Sequence, residues 1–110
     1  MHSEFEIKAR EIRGRFIARA VDQEAHLTSL IARLGEPGRE AAIGELANLG
    51  HWISGSAGTF GLHELGELAQ AVEWEIASLR SSTDAQTDKL TAICNRLLSA
   101  IRALRSQENG

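Results

Sequence analysis

Residues 42–57 read AIGELANLGHWISGSA, and their apolar side chains recur at steps of three and four residues. This spacing places them on one face of an α-helix, which turns by about 100° per residue. We therefore predict an amphipathic helix from about Pro37 to Ala57, followed by a short turn between Gly58 and Gly61. The predicted core face carries Ala42, Leu46, Leu49, Ile53 and Ala57.

The same spacing runs through almost the whole chain and predicts an all-α fold. The segment before this helix forms either one long helix or two helices that meet near Val21 and Asp22, where Asp22 would cap the second. Gly35 suits the end of a helix, and Pro37 suits the first turn of the next one. The apolar face of the segment comprises Phe5, Ile12, Phe16, Ala20, Leu27, Leu30, Ile31 and Leu34.

Two further helices follow the turn after residue 57. The first directs Leu62, Leu65, Leu68, Ala69, Val72, Ile76 and Leu79 inward. The second follows a capping-box spacing at Thr83 and Gln86 and directs Leu90, Ile93, Leu97, Ile101 and Leu104 inward. Because short loops make neighbouring helices antiparallel, we predict an up-down antiparallel four-helix bundle with an additional N-terminal helix or helical extension. Residues 1–110 form one domain, with the N-terminal helical segment at about 4–20 and the bundle at about 22–106.

Composition excludes several classes of protein. The chain has 110 residues and a net charge of −3 with interspersed signs, which does not favour nucleic-acid binding. No apolar run reaches the ~20 residues of a membrane span, and the N-terminus lacks a signal-peptide pattern, so we expect a cytoplasmic protein. The one cysteine, Cys94, excludes an internal disulfide and a thiolate metal cluster. Its apolar surroundings favour a core residue over a reactive thiol.

His51 is the candidate functional residue, because the helix directs it about 160° away from the core face. Gly44, Asn48, Gly55 and Gly58 share its outward side. A glycine inside a helix costs about 1 kcal/mol relative to alanine. These glycines either permit close helix packing or leave room for a bulky partner or a phosphoryl group to reach the imidazole. Their place opposite the core favours access, although a lone histidine on a polar face is usually just solvated.

Four other side chains bear on this surface. Trp74 faces outward and is either an interface residue, a cover for the N-terminal helix or a dimer contact. Trp52, beside His51, is more consistent with half-buried packing. Gln70 and Glu73 on the next helix either border the His51 surface or are simply solvated. The sequence shows no metal-ligand spacing, catalytic triad or phosphate-binding glycine loop.

The segment from His51 to Gly61 resembles the histidine-containing phosphotransfer (HPt) family. The family pattern is a histidine, usually a lysine three residues on, then glycine, a small residue and alanine, with a glycine ten residues after the histidine. The matching residues are His51, Gly55, Ser56, Ala57 and Gly61, continued by Leu62, Leu65, Leu68, Ala69 and Glu73.

The resemblance implies that His51 is a phosphoacceptor on an exposed helix of a four-helix bundle. It would exchange a phosphoryl group with the aspartate of response-regulator receiver domains, and a hybrid histidine kinase is a further implied partner. Such a monomeric carrier is not an autonomous kinase and needs no cofactor, since the receiver supplies Mg²⁺. The implied docking surface around His51 comprises Asn48, Trp52, Ser54, Gly55, Gly58, Gln70, Glu73 and Trp74.

Ser54 departs from the family pattern, because it stands where lysine is usual. A serine hydroxyl adds no positive charge to attract phosphoryl oxygens. We expect either a slower phosphoacceptor or a cation supplied by another helix or by the partner; the alternative is neutral drift. This departure keeps open a second function, a non-phosphorylated module that docks on a receiver or kinase. A helical dimerisation protein that uses Trp74 is a weaker third hypothesis.

Overall fold

The computed structural model describes residues 3–35, 37–79 and 84–109, and this part of the chain contains helices and no strands. The α-helices are α1 (Glu4–Asp22), α2 (Glu24–Ala32), α3 (Arg39–Ala57), α4 (His63–Ala77) and α5 (Asp84–Asn109). Two short 3₁₀ helices, Arg33–Gly35 and Gly58–Phe60, follow α2 and α3. The predicted all-α fold is confirmed.

Helices α2 to α5 form the four-helix bundle, and α1 precedes it. Helix α3 packs along α4, α4 along α5, and α2 contacts both α3 and α5. Helices α3 and α4 are antiparallel, because Gly50 lies beside Glu73 while Gly66, earlier in α4, lies beside Ala57 near the end of α3. Within the described residues, no helix combines the length and the apolar character that a membrane crossing requires.

The N-terminal segment consists of two helices, which settles an alternative that the sequence left open. The break lies at Gln23, one residue after the predicted position. The prediction that Asp22 caps the second helix is wrong, because Asp22 belongs to α1 and Gln23 occupies the cap position without a side-chain hydrogen bond. Ser3 caps α1, since its Oγ accepts a hydrogen bond of 3.1 Å from the Glu6 amide.

The core lies between the helices of the bundle and contains the predicted stripe of α3. That stripe is fully or almost fully buried at Ala42, Leu46, Leu49, Ile53 and Ala57. The predicted faces of the other helices join it through Leu27, Leu30, Leu34, Leu65, Ala69, Val72, Leu90, Leu97, Ile101 and Leu104. Cys94 is fully buried in the same cluster, and burial raises the pKa of its thiol to about 12. It is therefore a core residue.

The first half of α1 does not belong to the core. Phe5 is 81% exposed and Ile12 is 49% exposed, so the prediction that they lie on a buried face is wrong. The buried residues of α1 begin at Phe16 and continue with Ile17 and Ala20. Periodicity identified the apolar side of this helix correctly, but the bundle covers that side only in its last two turns.

The connection between α2 and α3 differs in detail from the prediction. Pro37 lies in a turn outside the helix, and α3 begins at Arg39, two residues later than expected. Gly38 precedes it with a φ of +139°, a backbone conformation that favours glycine. The predicted turn after α3 is confirmed, with Gly61 in the left-handed conformation. Thr83 of the predicted capping box lies outside the described residues.

Candidate functional site

His51 lies near the middle of the outward face of α3, and its side chain is 84% exposed. The helix fixes this direction, because Leu49 and Ile53 on either side of it are buried in the core. Asn48, one turn earlier, and Gly55, one turn later, are both exposed. The imidazole therefore stands on an accessible helical surface.

The outward glycines do not serve helix packing. Beyond its chain neighbours and the backbone of its own helix, a Cβ placed at Gly44, Gly55 or Gly58 would meet no atom of the described residues within 4 Å. Close packing, one of the two interpretations that the sequence allowed, is therefore excluded at these three positions. What they leave is open space on the side of α3 that carries His51.

Glu73 of α4 is the direct partner of the imidazole. The His51 Nδ1 atom lies 3.2 Å from Glu73 Oε2, and the Glu73 side chain is only 27% exposed. An ionised carboxylate can only accept hydrogen bonds, so the Nδ1 atom carries the proton in this contact. In the neutral ring, Nε2 then keeps its lone pair. In this arrangement Nε2 is the ring nitrogen whose lone pair is available to act as a nucleophile.

Ser54 holds the other oxygen of the same carboxylate. Its Oγ donates to Glu73 Oε1, and it also lies 3.2 Å from the backbone oxygen of His51. Ser54, Glu73 and His51 therefore form a connected hydrogen-bonded chain, which we call the 54–73–51 relay. The sequence places Ser54 and Glu73 on the surface around His51, but its departure from the family pattern indicates only a missing charge at Ser54 and does not predict the relay.

Gly50 is a residue of the site that sequence analysis missed. A Cβ at this position would lie 3.1 Å from the Ala69 backbone oxygen and 3.3 Å from Glu73 Cγ. The absence of a side chain therefore lets α3 and α4 approach closely, and this approach brings Glu73 within reach of His51. The signal in the sequence was a glycine beside the core stripe, next to His51 but not on its outward side.

Trp52 packs against α1 on the flank of the site. Its ring is half-buried, with its centroid 5.2 Å from that of Phe16. The guanidinium carbon of Arg19 lies 4.9 Å from the centroid of the Trp52 ring. This is a cation–π contact, and it places a positive charge from another helix beside the residue that follows His51.

Trp74 and Gln70 occupy the exposed side of α4, one turn apart. Trp74 is 66% exposed, so the interpretation that it covers the N-terminal helix is wrong. It follows Glu73 directly in the chain, so this exposed aromatic ring and the carboxylate of the relay belong to one turn of α4. Among the described residues, no group of three or more histidine, cysteine or carboxylate side chains could hold a metal ion.

A family model described as Hpt domain matches residues 11–107, which is nearly the whole chain. The matched range begins within α1 and ends near the end of α5, so it includes the complete bundle and the 54–73–51 relay. No curated protein and no solved structure is significantly similar to the chain.

Proposed function

Since the chain belongs to the Hpt domain family, we propose that it is a phosphorelay intermediate that carries a phosphoryl group on His51. Hpt domains take part in histidine phosphotransfer in phosphorelay signalling. They are phosphocarrier modules rather than autonomous enzymes, and they interact with receiver domains and kinases. The observation that carries the proposal for this chain is the exposed imidazole of His51, whose Nδ1 atom is hydrogen-bonded to the Glu73 carboxylate.

The chemistry follows from that hydrogen bond. Nε2 attacks the phosphorus of an aspartyl phosphate on a receiver domain, an N–P bond forms, and the bond from phosphorus to the aspartate oxygen breaks. The aspartate leaves as a carboxylate with the electron pair of that bond. The imidazole ring becomes positively charged as it is phosphorylated, and the Glu73 carboxylate stabilises this charge through Nδ1–H. The receiver supplies the acidic pocket and the Mg²⁺ ion, and this chain contributes no cofactor.

The open surface around His51 supports contact with a folded partner. The exposed glycines leave room above the imidazole, and the exposed Trp74 ring offers apolar area of the kind that dominates binding at interfaces. The docking surface therefore suits receiver domains and a hybrid histidine kinase that presents one. The proposal includes a monomeric carrier that works in the cytoplasm.

Phosphoryl transfer to the chain from a phosphorylated receiver domain and Mg²⁺ tests the proposal. We expect an acid-labile, base-stable phosphoryl label on the wild-type chain and none on the His51→Gln variant. His63→Gln, which changes an exposed histidine at the start of α4, is the matched control and should keep the label. A label that persists in His51→Gln, or no label from any cognate receiver, would contradict the proposal.

A second candidate function is a docking module that binds a receiver or kinase without phosphorylation. Ser54 favours it, because the position that usually carries a lysine has no positive charge. This function predicts that His51→Gln binds the partner as tightly as the wild type, and that no label forms on either chain.

A further inference from the structure

Ser54 does more than lack the positive charge of the usual lysine, because its hydroxyl forms a hydrogen bond within the site. We propose that Ser54 is a positioning residue, whose hydroxyl holds the Glu73 carboxylate in the orientation that takes the Nδ1 proton of His51. The inference rests on the proposed function only for the importance of this proton, because a proton on Nδ1 leaves Nε2 free to accept the phosphoryl group. The arrangement itself is visible in the unphosphorylated chain.

The two carboxylate oxygens of Glu73 have different hydrogen-bond partners. Oε1 accepts from the Ser54 hydroxyl, and Oε2 lies 3.2 Å from His51 Nδ1. Fixing one oxygen of a planar carboxylate fixes the direction of the other. The stem of the same side chain lies close to the backbone of Gly50, since a Cβ added there would lie 3.3 Å from Glu73 Cγ. The end of the Glu73 side chain is therefore oriented by Ser54.

His51 depends on this orientation because little else holds its ring. With its side chain 84% exposed, the imidazole has few packing neighbours. A solvated histidine can exchange its proton between the two ring nitrogens, and the hydrogen bond made by one nitrogen decides which one is protonated. Ser54 thus acts on Nε2 through two consecutive hydrogen bonds.

The Ser54 hydroxyl has a competing acceptor, which makes the inference testable. It carries one proton, and the backbone oxygen of His51, one turn earlier in α3, lies 3.2 Å away. Serines inside helices commonly donate to such a carbonyl, and that bond would leave Glu73 unrestrained. A charged acceptor forms the stronger hydrogen bond, so we assign the proton to the carboxylate.

This assignment changes what a lysine at position 54 would do. An ammonium group there would form an ion pair with Glu73, and its positive charge would weaken the attraction of the carboxylate for the Nδ1 proton. We therefore expect Ser54→Lys to lower the fraction of Nδ1-protonated His51. Serine at position 54 holds the Glu73 carboxylate without placing a positive charge beside it.

The experiment measures which nitrogen of neutral His51 carries the proton, by ¹⁵N NMR of the full unphosphorylated chain at alkaline pH. We expect Ser54→Ala to lower the ratio of Nδ1–H to Nε2–H by about three- to tenfold, as the loss of one hydrogen bond implies. Ser54→Thr keeps a hydroxyl and should restore the ratio. Ser56→Ala removes a neighbouring hydroxyl on the same helix and should leave it unchanged.

A double-mutant cycle separates positioning from a general effect on α3. Glu73→Ala should lower the ratio further, and Ser54→Ala should then have no additional effect, because the two residues act through one chain. An unchanged ratio in Ser54→Ala, or additive effects in the double variant, would overturn the inference.

The outcome is independent of the proposed function, because no phosphoryl donor is present. If receivers fail to label His51, the carrier proposal is contradicted while the tautomer result stands. A second measurement links the tautomer of His51 to its phosphorylation. Ser54→Ala should slow phosphorylation by a small phosphoramidate donor, and Ser54→Thr should restore the rate.

Discussion

Gly50 and Glu73 lie so close across the α3–α4 contact that a Cβ on residue 50 would come within 3.3 Å of Glu73 Cγ. The same Cβ would lie 3.1 Å from the backbone oxygen of Ala69, which cannot move without the helix. Helix packing at Gly50 and hydrogen bonding at His51 therefore depend on one distance, the separation of α3 and α4.

Gly50→Ala should destabilise the fold even though alanine favours helices. Helix propensity predicts a gain of about 1 kcal/mol, but overpacking of a tight contact costs about 1–3 kcal/mol, so we expect a net loss. Urea unfolding measures it. Gly44→Ala is the control and should give the full gain, since its Cβ would meet no described atom within 4 Å beyond its chain neighbours and the backbone of its own helix. Equal gains in both variants would contradict the close approach.

Gly55→Ala should separate stability from access. The position is open, so alanine should raise the free energy of unfolding by about 1 kcal/mol. The added methyl group lies one turn from His51, on the surface that a receiver must cover. We expect slower phosphoryl transfer from a receiver and an unchanged rate from a small phosphoramidate donor. Equal rates from the receiver in wild type and variant would show that the glycine does not serve docking.

The sequence predicted the bundle well because its core faces are continuous. The stripe from Ala42 to Ala57 meets apolar neighbours along its whole length, so periodicity alone identified its buried side. The same reasoning failed at Phe5 and Ile12. A periodic pattern shows which side of a helix is apolar, but it does not show where the neighbouring helices end.

The site was predictable residue by residue but not as an arrangement. The outward direction of His51 follows from its position relative to Leu49 and Ile53 within one helix. Its contact with Glu73 depends on how far α3 slides along α4, and no pattern within a single helix encodes that register. Gly50 sets the distance between the two helices, and it lies beside the core stripe rather than on the outward face where His51 and the other glycines are found.

Trp74→Ala should weaken partner binding without affecting the fold. The ring is 66% exposed, so we expect a change in unfolding free energy within about 0.5 kcal/mol. Loss of an aromatic anchor at an interface costs about 2 kcal/mol or more, which is roughly a thirtyfold loss of receiver affinity. Titration calorimetry measures it. Phe5→Ala, which removes an aromatic ring that is 81% exposed on α1, is the control.

Two results would speak against this role of Trp74. One is an unchanged affinity for the receiver. The other is a chain whose elution volume falls with concentration and recovers in Trp74→Ala, which would identify the ring as a contact between two copies of the chain.

Cys94 should make the fold sensitive to alkaline pH. Burial raises the pKa of its thiol from 9.0 to about 12, so the unfolded chain loses this proton first as the pH rises. The contribution to stability is complete below pH 9 and is lost between pH 9 and 12, with a slope of up to about 1.4 kcal/mol per pH unit. Cys94→Ala should show a shallower fall of unfolding free energy over this range. If the unfolding free energies of the wild type and Cys94→Ala fall in parallel over this pH range, the proton loss of the thiol is not coupled to unfolding.

The exposed first half of α1 and the packed bundle should differ in the free energy of local unfolding. Because Phe5 and Ile12 bury little, we expect backbone hydrogen bonds there to break without disturbing the core and those around His51 to open only with the bundle. Amide hydrogen exchange would therefore be fast before Phe16 and slow across α3. We expect the relay to lie in the slowly exchanging region, where the imidazole is highly accessible to solvent while the backbone that carries it is among the most protected in the chain.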